Sequence, residues 1–131
     1  MEFRQDQAIY LQIAELVSEN ILAGVWRPED RIPSTRELAE SIEVNPNTVV
    51  RTYAYLQEKG IIVNQRGIGY FVADDAVEVT TALRKADFVS KELPRIFHTM
   101  ELLGMAYGEI EELYAAHRAR HSKETRKEAQ A

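Results

Sequence analysis

Three arginines and a short run of small polar side chains hold most of the chemistry this chain can offer. Arg36, Arg51 and Arg66 each carry a planar, permanently charged guanidinium. Its N–H fork matches phosphate oxygens or the acceptor edge of guanine. Asn45, Asn47 and Thr48 stand just before Arg51, and amides and hydroxyls of that size hydrogen-bond to base edges and phosphates. Catalytic constellations are missing: the sequence has no nucleophile–base pair at a strained turn and no metal triad. Gly67-x-Gly69 follows one strand-like run and precedes another, so it is no dinucleotide loop. No enzyme and no cofactor are expected.

Positioning such groups takes a scaffold, and Arg31 to Leu56 supplies its signature. Ser34 followed by Glu37 is a capping box, in which each side chain satisfies an orphan N–H of a helix start. Asn45 before Pro46 is a second start, with a cap residue and proline at the first helical position. Leu38, Ala39 and Ile42 form a short apolar face between them, and Glu43-Val44 leaves room only for a tight turn. This is the pattern of a helix-turn-helix whose second helix enters the DNA major groove. That helix is expected from Pro46 to about Lys59, with Gly60 as its stop. Val49, Tyr53 and Leu56 share one face; Asn47, Val50, Arg51, Ala54 and Tyr55 fall largely on the others. Ile61–Asn64 and Tyr70–Val72 are β-rich runs around Gln65–Gly69, a hairpin that reads as a wing.

Charge complicates this picture. The chain has 16 basic and 21 acidic residues, net −5. Residues 1–75 contain 7 Lys+Arg and 12 Asp+Glu, and residues 76–131 contain 9 of each. Excess acid therefore sits on the half that should meet DNA, where basic composition is the usual footprint. Specific binding with weak non-specific affinity is expected, because the sequence-independent component depends on phosphate neutralisation. A winged-helix interaction module that never touches DNA is the alternative. There is no cysteine, no apolar run near the roughly 18 residues of a membrane span and no signal-peptide core, so a cytoplasmic protein away from membranes is expected.

Asp6–Gly24 carries Ile9, Ile13, Leu16, Val17 and Ile21 at amphipathic-helix spacing. Trp26, beside the expected helix end, reads as a core plug, since buried area is what Trp mostly supplies. After Ala76 comes a long apolar series, interrupted by Pro94, which predicts a kink near Ser90–Leu93. A turn at Leu103-Gly104-Met105 and a helix from Tyr107 to about Arg120 follow. Two helices cannot cover Leu93, Phe97, Met100, Leu103, Ile110, Leu113 and Tyr114 by themselves, so these residues are expected at a homodimer interface. His117 and His121 are four apart, with His98 nearby, but no carboxylate cluster completes a site and no metal is expected. The organisation expected is mainly α (α+β): a winged helix-turn-helix over 1–75, a two-helix dimerisation segment over 76–121 and a polar tail over 122–131 that is either frayed or an extension of the preceding helix.

Ala8–Ala73 resembles the DNA-binding domain of the GntR family of bacterial transcription regulators. The matching residues are Ile9–Ile13, Pro33–Ala39, Val44–Val49, Tyr53, Leu56, Glu58–Ile62 and Gly67–Val72. The short remainder resembles the YtrA-type subfamily, which implies a dimeric repressor. The resemblance implies DNA contacts by Arg36 from the first helix of the motif. It implies contacts by Asn45, Asn47, Thr48 and Arg51 from the second, and minor-groove contacts by Arg66 and Gly67 from the wing. Double-stranded DNA and a second copy are thus the expected partners, and a small-molecule effector is left open. The chain departs from the family at Glu43, where many relatives have Gly, implying a turn of different conformation. It departs at Val50, where many have Arg, and at Ile68 in the wing.

Overall fold

The computed structural model describes residues 1–130; Ala131, the end of the expected polar tail, lies outside them. The chain forms two compact units, residues 1–86 and 87–131. In the first, α1 (Ile9–Leu22), α2 (Thr35–Ile42) and α3 (Pro46–Glu58) precede a hairpin of β1 (Ile62–Gln65) and β2 (Gly69–Val72), and α4 (Ala76–Asp87) follows. The strands are antiparallel, with Ile62 opposite Val72 and Gln65 opposite Gly69. Ile32 N–H donates to the Tyr70 carbonyl, and Glu29 and Val72 exchange bonds with Val72 and Asp30 carbonyls in the same antiparallel sense. Residues 29–32 thereby line the outer edge of β2.

The core comes from the stripes seen in the sequence. Ile13, Val17 and Ile21 of α1, Leu38 and Ala39 of α2, and Val49, Tyr53 and Leu56 of α3 are buried with Ile32, Ile61, Ile62 and Val72. Trp26 packs against this cluster, as a core plug should. Gln12, also buried, ties down the chain before α1: its amide donates to the Arg4 and Gln7 carbonyls and accepts from Arg4 N–H.

α4 corrects the expected boundary. Ala76 and Thr80 are fully buried and Val79 and Leu83 pack on the winged-helix core. The first unit therefore ends one helix beyond Asp75, and these residues leave the apolar series assigned to dimerisation. The physical reason is periodicity: positions 76, 79, 80 and 83 form one helical stripe facing an existing core.

In the second unit a π-helical turn over Phe88–Glu92 leads into α5 (Leu93–Leu103), and α6 spans Tyr107–Gln130. The π turn stands where Pro94 predicted a disturbance. Proline lacks an N–H and crowds the carbonyl four residues earlier, and widening the helix by one residue accommodates both effects. Gly104 ends α5 at φ 65°, with Met105 N–H reaching back to the Met100 carbonyl, the 6→1 closure of a left-handed helix end. α6 runs past Arg120 through the polar tail, which is the helical extension of the two forms expected for it. Among the described residues, no helix is long and apolar enough to cross a membrane.

Candidate nucleic-acid interface

The helix-turn-helix forms as its caps dictate. Ser34 Oγ accepts from Glu37 N–H, and Glu37 accepts from Ser34 N–H, closing the capping box of α2. These hydrogen bonds, helped by the nearby Arg31 charge, hold the Glu37 carboxyl below its ordinary value. At α3, the Asn45 side chain accepts from Asn47 N–H at 2.9 Å, with Pro46 in the first turn. The turn between the helices is set at Glu43, which adopts φ 55°, ψ 55°. That is the left-handed conformation a glycine would take most easily. Glu43 bears the steric cost of that path, because the packed helices on either side over-determine it.

Three tethers fix α3. Tyr53 is fully buried and its hydroxyl donates to the Pro33 carbonyl at 2.6 Å. Its ring meets Tyr70 of β2 edge-on at 4.8 Å. One side chain thus joins α3, the lead-in to α2 and the wing. Burial pushes the Tyr53 hydroxyl pKa far up, with the Tyr70 and Glu37 charges adding to the shift. Thr52 Oγ1 donates to the Tyr10 carbonyl at 2.8 Å, bolting α3 to α1.

With Val49, Thr52, Tyr53 and Leu56 turned inward, α3 leaves Asn47, Val50, Arg51 and Ala54 exposed. Thr48 is half-buried and Asn45 exposed at the helix start. Arg36 is exposed on the first turn of α2. Arg66 and Gly67 lie in the wing loop, where Ile68 N–H closes a turn onto the Gln65 carbonyl and Gly67 takes φ 80°. Among the described residues, neither Arg36 nor Arg66 has an ion-pair partner within 4.0 Å. Arg51 does not pair with a carboxylate either: its guanidinium lies over the Tyr10 ring, 4.0 Å from the centroid.

Two neighbours of this surface were not singled out from the sequence. The Arg31 guanidinium lies against the loop end of the wing, where a Cβ on Gly69 would stand 3.0 Å from its Nε, so the missing side chain makes room for it. Tyr10 occupies the first turn of α1. A half-exposed aromatic at the start of an amphipathic helix was the available signal; its pairing with Arg51 depends on how α1 crosses α3, which spacing does not encode.

The residues assigned to dimerisation share no buried core. Phe97, Leu103, Leu113 and Tyr114 are all more than half exposed, while Leu93, Met100 and Ile110 are half-buried. His117 and His121 stack at 6.4 Å on the exposed surface of α6.

Residues 9–72 match the GntR family, described as bacterial regulatory proteins, gntR family. The chain is 34% identical to the HTH-type transcriptional repressor YtrA of Bacillus subtilis, over 85% of this chain and 82% of that protein. A putative transcriptional regulator of the GntR family from Bacteroides thetaiotaomicron superposes with a TM-score of 0.73 at 44% identity, covering 87% of this chain and 99% of that one. The DNA-binding domain of AraR, solved in complex with an operator, superposes at TM-score 0.50 and 30% identity. That match covers 56% of this chain and 86% of the domain.

Proposed function

Because the chain belongs to the GntR family and is a transcription regulator with that family's DNA-binding domain, we propose that it is a homodimeric repressor reading a palindromic operator. The observation that carries this reading is the exposed polar face of α3, together with Arg36 of α2 and Arg66 of the wing, neither of which has an ion-pair partner among the described residues. Asn47, Thr48 and Arg51 read or frame base edges in the major groove. Val50, 50% exposed on the same helix, offers an apolar contact to a thymine methyl. Arg36 holds the phosphate backbone. Arg66 enters the minor groove beside Gly67, and Asn45 completes the helix start at the DNA surface. Two copies place their α3 helices in half-sites about one helical turn, roughly 34 Å, apart.

Dimerisation is assigned to α5 and α6. The second unit has no buried residue between Asp87 and Glu128, although Leu93, Phe97, Met100, Leu103, Ile110, Leu113 and Tyr114 lie on it. A cleft of about 300 Å³ between α5 and α6 is lined by Ile96, Met100, Met105 and Ile110, and a partner's side chains fill it. Each fully covered apolar side chain contributes roughly 1.5–3 kcal/mol. The repressor name of YtrA supports the sign of regulation. The test compares the full chain with a fragment ending at Ala86, which retains the whole first core. Sedimentation should give a dimer for the full chain and a monomer for the fragment. The fragment should bind operator DNA far more weakly, having lost the second tethered half-site. A full chain that sediments as a monomer at micromolar concentration overturns the dimer; a dimeric fragment moves the interface into the first unit.

A further inference from the structure

We propose that Tyr10 is a positioning residue for Arg51, holding its guanidinium in place before DNA arrives. This rests on the reading of α3 as the DNA-contacting helix. Three α3 positions converge on Tyr10. Arg51 lies over its ring at 4.0 Å, Thr52 Oγ1 bonds its carbonyl at 2.8 Å, and Tyr55 meets its ring edge-on at 6.2 Å. The carbonyl bond ties the backbone of α1 to α3, and Tyr55 packs against the ring edge. The half-buried ring thus has a second neighbour on α3 besides Arg51.

The geometry also makes the stack compatible with DNA contact. A guanidinium over an aromatic ring spends its π face, and its N–H donors stay at the rim. A free surface arginine must give up considerable rotamer freedom when it docks. Arg51 gives up much of it on folding, because its exposed side chain already has a fixed neighbour. The stack competes with no carboxylate: among the described residues, no acidic group lies within 4.0 Å of Arg51. Tyr10 thus sharpens the readout at the Arg51 position without touching a base.

The test is a double-mutant cycle in the full chain, titrated against an operator duplex selected from a random pool. Tyr10→Leu should weaken binding about two- to fivefold, the range for an exposed cation–π contact. Tyr10→Phe, which keeps the ring, should restore wild-type affinity to within about twofold. In an Arg51→Ala background, Tyr10→Leu should cost nothing further, since the contact it supports is gone. Equal losses from Tyr10→Leu with and without Arg51 would overturn the inference and leave α3 as the reading helix. An Arg51→Ala variant that binds like wild type would overturn the assignment of Arg51 itself and the inference with it. Circular dichroism of each variant separates lost contact from lost fold.

Discussion

Replacing Tyr53 by Phe removes one oxygen from the centre of the DNA-binding unit. The Tyr53 hydroxyl donates to the Pro33 carbonyl at 2.6 Å from a fully buried side chain. Its removal takes a hydrogen bond from a half-buried carbonyl, a net loss of about 0.5–1.5 kcal/mol. Phe keeps the ring and its edge contact with Tyr70, so the loss should be that of the hydrogen bond alone, about 1 kcal/mol. In a domain of this size that lowers the melting temperature by about 4–8 °C. Thermal melts of the two full chains followed by circular dichroism measure it. Alkaline titration supplies an independent check. The Tyr53 pKa is raised in the folded state, so above the ordinary tyrosine value near 10 the unfolded state binds fewer protons than the folded one. Stability from this group is complete below about pH 10 and falls as pH rises, by at most about 1.4 kcal/mol per unit. The wild type should therefore lose its advantage over Tyr53→Phe as pH climbs above about 10. Equal melting temperatures at neutral pH, or a stability difference independent of alkaline pH, would show that the Tyr53 hydroxyl does not stabilise the fold through Pro33.

Three further outcomes are expected. Glu43→Gly should stabilise the chain by about 0.5–1 kcal/mol, because it relieves a side chain at φ 55° and gives back part of the gain in unfolded-state entropy; chemical denaturation reads the change in midpoint. Arg66→Ala should flatten the preference for A·T-rich flanks, since narrow minor grooves concentrate the potential that attracts arginine; binding to duplexes differing only in flanks checks it. Glu37 is held below its ordinary value by Ser34, so its contribution is present above the unfolded carboxylate pKa and lost as pH falls through the folded one. Glu37→Gln should therefore show a shallower acid loss of stability than the wild type.

The caps and stripes of the first unit were legible because they are local. Ser34–Glu37, Asn45-Pro46 and the inward positions Val49, Tyr53 and Leu56 are fixed by spacing of four residues or fewer, and each stands where its spacing put it. The Pro94 disturbance was legible for the same reason, although its form, a π turn over Phe88–Glu92, was not. What spacing concealed was contact between distant segments. Tyr53 with Pro33, Thr52 with Tyr10 and Arg31 with Gly69 join residues whose approach depends on helix crossing and on the strand-like path of residues 29–32. The role of α4 was hidden because an amphipathic stripe says that a face is covered but not by what. Whether the tail after Arg120 frays or extends α6 stayed open in the sequence, because nothing in an all-polar run marks where a helix ends.

Selection of bound duplexes from a random DNA pool by the full chain decides whether α3 reads DNA. An enriched palindrome with half-sites centred about 10 base pairs apart is expected, with loss of that enrichment at major-groove positions for Arg51→Ala. No enrichment of any sequence would contradict DNA reading by α3 and favour a winged-helix module that binds protein alone.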